Sequence, residues 1–356
     1  MSIQPVEITL GLTPRSRFDI VDVARKISDQ YGGLLKNYRK ITCCSFHTTA
    51  GYLEQRFCAK LGYSERRLDQ FIRIYQTLFP PGAGYLHDSM EFREDLSESE
   101  KEREPLNADS HLTFMGAGLR NCVTYVNKPK LPIYFIDLDG IYKRHRRSRR
   151  TTVLAYNKEE AVYHGRFFIP VSGEHPISSF NLKDPRYGLF SHLNDLLDSY
   201  GIDKGVFDIR LAQEERHAAL TVNEYETLLM RNDLPDAMSN PLRYTVRRGK
   251  KLLENPASIP GKARSYAIYD IIHLYNRLMK NVQISPSVVD KALSCLSTLV
   301  SRIFRLKRHI SLLVSSSAET GIGRIVQGTY QSPILLQHQR ADKDVRCLEI
   351  TLRSFE

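Results

Sequence analysis

One order of elements occurs twice along this chain: strand, helix, strand, helix, then several strands. In the first half, residues 6–10 alternate like a strand, and 19–36 carries helical spacing through Ile20, Val23, Ala24, Ile27 and Tyr31. Residues 41–46 read as a buried strand that runs into His47-Thr48-Thr49-Ala50, and 63–78 places Leu68, Phe71, Ile72 and Tyr75 on one helical face. Strands are expected at 121–127, 133–138 and 151–156. The second half repeats the order with strands at 166–171 and 205–211 around a helix at 191–200, and closes with strands at 323–327, 333–337 and 345–352. Helical spacing at 263–280 and 285–307 has no counterpart in the first half. Such a repeat predicts an α+β chain of two like domains, 1–156 and 157–356, the second with an added helical segment at about 246–312. The length of 356 residues fits two domains. The polar stretch 157–164 reads as the link between them.

Charge narrows the partners. Lys and Arg number 51 against 40 Asp and Glu, a net +11, which favours anionic partners without choosing among phosphate esters, nucleic acid and acidic lipid. Six of the eight residues 143–150 are Lys or Arg. That run reads as a solvated hairpin loop, a phosphate clamp or a nucleic-acid footprint. Few aromatics interleave with it and no nucleic-acid motif is recognisable, so nucleic acid is the least favoured of these partners. No run of apolar residues is long enough for a membrane helix, and no secretory signal is readable. Six cysteines without a CxxC read as buried thiols in a reducing cytoplasm, with Cys43 and Cys44 facing opposite sides of a strand.

Three histidines sit beside small polar residues, at expected strand ends or in loops: His47, His87 and His111, accompanied by Asp88, Asn107 and Asp109. Converged, they could hold zinc or a similar divalent ion with an open position, bind an anion, or act as acid and base. Kept apart, they are one structural histidine and two solvated ones. Thr48 and Thr49 offer hydroxyls to a phosphate or serve turn chemistry.

These segments, in this order, resemble a known family. His47-Thr48-Thr49-Ala50, Tyr85-x-His87-Asp88, Asn107-Ala108-Asp109-Ser110-His111-Leu112 and the arginines near Arg147 and Arg149 are similar to motifs of the YjbQ family, the secondary thiamine-phosphate synthase family. Its pattern is HTTAAL-x-x-NE, YxHN, NADAHL, GTWQ and PRxR. In the second half, Ala219-Leu220-Thr221-Val222-Asn223-Glu224 resembles its ALTINE segment, 323–331 resembles GRLxLGTWQ, and Arg346 falls near the PRxR arginines. The resemblance implies two YjbQ-like domains, each a mixed β-sandwich core with flanking helices, the second degenerate. Departures are clear: Gln55-Arg56 replaces Asn-Glu, Ile136-Asp137-Leu138-Asp139 stands at GTWQ, and Glu215-Arg216-His217-Ala218 stands at HTTA.

The resemblance also implies a transferase joining a pyrimidine diphosphate to a thiazole phosphate with loss of pyrophosphate. His47, His87 and His111 would then hold a metal, zinc favoured, or act as acid and base, with Asp88 orienting a histidine. Thr48, Thr49, Asn107, Arg147 and Arg149 would bind phosphate. A phosphorylated small-molecule substrate and a trimer-based homo-oligomer go with that expectation. The alternative is a binding or scaffold protein that keeps the fold without turnover.

Overall fold

The computed structural model describes residues 3–143, 145–171, 177–254, 304–316, 323–341 and 343–356. The first strands are β1 (Val6–Leu12), β2 (Asp19–Asp22), β3 (Lys40–Ser45), β4 (Ala50–Gly51), β5 (Cys122–Val126) and β6 (Tyr134–Asp137). A hairpin of β7 (Ile141–Tyr142) and β8 (His145–Arg146) follows, then β9 (Arg149–Tyr156). The remaining strands are β10 (Glu159–Pro170), β11 (Ser178–Asn181), β12 (Lys204–Leu211), β13 (Ala218–Asn223), β14 (His309–Ser316), β15 (Gly323–Ile325), β16 (Ser332–Gln337) and β17 (Val345–Phe355).

The strand orders of the two halves run in step. One sheet reads β1-β9-β3-β5 and another β10-β17-β12-β14-β15; the smaller sheets read β2-β6-β4 and β11-β16-β13. Every pairing between these strands falls on one side of residue 157. There is no loose link at 157–164, because β10 begins at Glu159 and pairs antiparallel with β17, the last strand.

The chain forms two compact units that cut across this division. Residues 1–69, 118–225 and 307–356 make a unit that holds all the described strands. Helices α1 (Val23–Tyr31), α2 (Gln55–Lys60) and α4 (Leu189–Tyr200) belong to it. Residues 70–117 and 226–306 make the other, whose described elements are helical, among them α3 (Ala108–Ala117) and α5 (Arg243–Glu254). Its two segments leave the strand unit at matching places, between β4 and β5 and between β13 and β14.

Within the strand unit the described core residues fall in three clusters. Ile8, Leu10, Ile27, Cys43, Val123 and Val153 belong to the cluster of the first half, and Leu193, Phe207, Leu220, Leu312 and Ile350 to that of the second. Between the two large sheets lies a third, of Cys44, Cys122, Leu154 and Tyr156 with Val206, Leu313 and Phe355. Tyr156 stacks on Phe355 with ring centroids 3.8 Å apart. Alternation along β3 therefore sends Cys43 into one cluster and Cys44 into another.

Several local expectations change. The stretch 19–36 opens as strand: Asp19–Asp22 pairs with β6, and the Asp22 carboxylate then caps α1 by accepting from the Arg25 N–H at 3.2 Å. His111 lies in a helix whose ten residues are all buried, not at a strand end or in a loop. The second half's helical stretch does not reach 312, since His309–Ser316 is a strand paired with β12. The helices expected over 263–280 and 285–307 fall mainly outside the described residues.

Candidate functional site

The nine residues singled out by sequence divide between the two units. His47, Thr48, Thr49, Arg147 and Arg149 belong to the strand unit; His87, Asp88, Asn107 and His111 belong to the helical unit.

In the strand unit, β3 delivers the chain to His47 and β9 starts at Arg149. Arg149 is buried, and its fork is filled from inside the protein. Nε donates to Asp137 Oδ2 at 2.8 Å, and one terminal nitrogen to Asp137 Oδ1 at 2.9 Å and to the Asp139 carbonyl at 2.6 Å. The same nitrogen lies 3.4 Å from Thr49 Oγ1. Arg147 pairs with Asp139. The two arginines expected to bind phosphate thus already hold carboxylates. His47 Nε2 accepts from the Arg150 backbone N–H at 2.8 Å, and its carbonyl accepts from Asn121 Nδ2 at 2.6 Å and Gln331 Nε2 at 2.9 Å. Burial, with Arg149, Arg147 and Arg150 close by, lowers the His47 imidazole to about 3, so it is neutral in ordinary conditions. Lys143, His145, Arg146 and Arg150 are exposed on or beside the hairpin.

In the helical unit the sequence concealed most of the partners. His87 is fully buried. Its Nδ1 lies 2.9 Å from Glu226 Oε2 and 3.2 Å from an Arg93 terminal nitrogen, and its Nε2 lies 3.2 Å from Asn107 Oδ1. Burial raises the Glu226 carboxyl, but His87 and the backbone N–H groups of Leu228 and Leu229, both 2.7 Å away, hold it below its ordinary value. A carboxylate there places the Nδ1 proton on the Glu226 side. Asp233 accepts from the backbone N–H groups of Leu86 and His87 at 3.0 and 2.9 Å and from the Tyr244 hydroxyl at 3.0 Å. Asp88 accepts from the Ala108 N–H at 3.0 Å, at the start of α3. The His87 and His111 rings stand edge to face, 5.3 Å apart.

Glu226, Asp233 and Arg93 carry no motif. Glu226 is 139 residues from His87 in the chain, and only the fold joins them. The His87 surroundings do not suit a metal: Arg93 places a cation beside Nδ1, while Glu226 and Asn107 take the two ring nitrogens. Among the described residues, no group of three or more His, Cys, Asp or Glu is arranged to hold a metal ion.

The chain is thus a mixed helix-and-strand protein, and the solved structures it resembles are YjbQ-like proteins. One is a YbjQ-like protein of unknown function from Sulfolobus solfataricus P2, with 12% identity over 55% of this chain and 99% of that chain, at a TM-score of 0.30. A hypothetical protein from Aeropyrum pernix K1 gives 15% identity over 54% and 98%, at 0.29. An uncharacterized conserved protein of the yjbq/upf0047 family from Clostridium acetobutylicum gives 10% over 53% and 98%, at 0.25. No family model and no curated protein matches the chain.

Proposed function

We propose that this chain is a tandem of two YjbQ-like domains that serves as a binding or scaffold protein. Its histidine and arginine motifs have been turned to internal structure. The observation that carries this reading is His87, whose two ring nitrogens face Glu226, Arg93 and Asn107 inside a fully buried network. Each ring nitrogen already faces a protein group, so a metal or substrate would have to displace one of them.

The tandem is supported by register. Ala50 lies opposite Asp137 at the end of β6, and Ala218 lies opposite Gln337 at the end of β16. Arg149 reaches Asp137, and Arg346 reaches Gln337 at 3.2 Å. Three residues before the two alanines stand His47 and Glu215. Glu215 supplies the carboxylate in the second half, with Oε2 2.8 Å from an Arg346 terminal nitrogen. Each half thus neutralises its own buried arginine, the first from strand β6 and the second from the turn before β13.

Elemental analysis and a turnover assay test the reading, on wild type beside His87→Gln and His111→Gln. We expect the metal content to be the same in all three, with no pyrophosphate released from a pyrimidine diphosphate and a thiazole phosphate. An ion present at about one per chain and lost in both variants would overturn it.

A second reading keeps the chain an enzyme on a phosphorylated small molecule. It is favoured by the neutral His47 imidazole beside the exposed Arg150 and the half-buried Thr48. Binding of a phosphate ester that Arg150→Ala weakens by tenfold or so would support it, since one charge-assisted contact contributes roughly that much.

A further inference from the structure

The second half contains a pair of histidines that neither reading uses. His217 stands immediately before β13 and His338 immediately after β16. The His338 N–H donates to the His217 carbonyl at 2.9 Å, so the two residues continue the β13–β16 ladder beyond Ala218 and Gln337. Their rings meet edge to face with centroids 5.6 Å apart. In the first half the corresponding places hold Thr49 and Leu138, whose backbones make the same contact at 3.1 Å. The pair is therefore peculiar to the second half.

We propose that His217 and His338 form a two-histidine site for a divalent transition metal ion such as zinc, with water completing the coordination. Four observations bear on it. His338 Nδ1 is buried and has no hydrogen-bond partner among the described residues, which is uncommon for a polar atom in a folded interior. His217 adopts φ +56°, a left-handed conformation that sets its exposed ring at the strand end. Burial, with His217 and Arg346 near, lowers the His338 imidazole to about 4, so it is in the neutral form that ligates metals.

Finally, the Arg346 guanidinium, whose charge bears on His338, is ion-paired with a carboxylate. Arg346 holds Glu215 at 2.8 Å and the carbonyls of Arg216 and Gln339 at 2.9 and 2.7 Å. Zinc–nitrogen bonds of about 2.0 Å require ligand nitrogens within roughly 3.5 Å. The ring centroids are 5.6 Å apart, so the facing ring edges lie closer than that.

The test is calorimetric titration of the full chain with zinc chloride in a non-chelating buffer. Wild type is compared with His217→Asn and His338→Gln, each verified as folded by circular dichroism. Asn is chosen at 217 because it tolerates the left-handed conformation. We expect one binding event in wild type, weakened by at least ~10-fold in each variant because one of two protein ligands is lost. We expect it unchanged in His87→Gln. Absence of binding in wild type, or binding that neither substitution at the pair alters, would overturn the assignment.

Discussion

At the scale of single residues, the buried charges are the strongest constraints. Arg149 and Asp137 were legible as an arginine of a motif and an acidic residue in a strand, but not as a pair, because they lie on different strands. Their bidentate contact is buried, so removing one partner leaves a lone charge in the interior. Arg149→Met should destabilise the protein by about 3–5 kcal/mol in chemical denaturation. His47 gives a pH dependence. Its folded value of about 3 lies below the ordinary 6.5, so between those values the unfolded chain binds the extra proton. The contribution to stability is complete above pH 6.5 and is lost as pH falls towards 3. The slope for one such group is up to about 1.4 kcal/mol per pH unit. His309 and His338, both held down to about 4, act in the same direction. Stability measured from pH 7 to pH 4 should fall, and His47→Gln should make the fall shallower.

At the scale of elements, periodicity located most strands and misplaced several boundaries. The β3 strand was readable from its apolar run, which is buried on both faces because clusters lie on either side of it. The stretch 19–36 reads as one helix because Ile20, Val23 and Ile27 suit helical spacing. Pairing of Asp19–Asp22 with β6 prevailed over that local pattern. The GTYQ segment shows how a loop is held against another element. Gln331 Nε2 donates to the carbonyls of Ser45 and His47, both at 2.9 Å, and Gly328 packs against the backbone of Phe46. A Cβ at 328 would run into the Phe46 carbonyl oxygen. Gly328→Ala should cost roughly 1–3 kcal/mol, seen as a lower denaturation midpoint, because the obstacle is backbone and cannot rotate away. By contrast, Arg146 is exposed on the hairpin, and Arg146→Ala should change stability by no more than about 0.5 kcal/mol.

At the scale of the whole molecule, the strand unit depends on both halves of the chain. Tyr156 closes the first half's last strand and Phe355 the second's, and their stacked rings lie in the cluster between the two large sheets. Deleting the ring of Phe355 leaves a cavity that rigid sheets cannot collapse. Phe355→Ala should lower stability by about 3 kcal/mol, with the loss read by any probe in either half. The helical unit draws on both halves as well, since residues 70–117 and 226–306 arise between equivalent strands. That is why the sequence, read as two consecutive domains, did not anticipate a compact unit made from two distant segments.

The sequence by itself determined what depends on neighbours along the chain. It placed most of the strands, the opposite faces of Cys43 and Cys44, the repeated order of elements and the motif segments that resemble YjbQ. Those follow from side-chain period and from short stretches of residue identity. The tertiary structure decided what depends on residues far apart in sequence. It gave His87 its carboxylate from Glu226, closed Arg149 on Asp137, and set His217 beside His338. Such contacts span from 12 to 139 residues, and nothing in a local pattern specifies them. Burial then fixed the charge each group can carry, because desolvation and the nearest opposite charge exist only once the chain is folded.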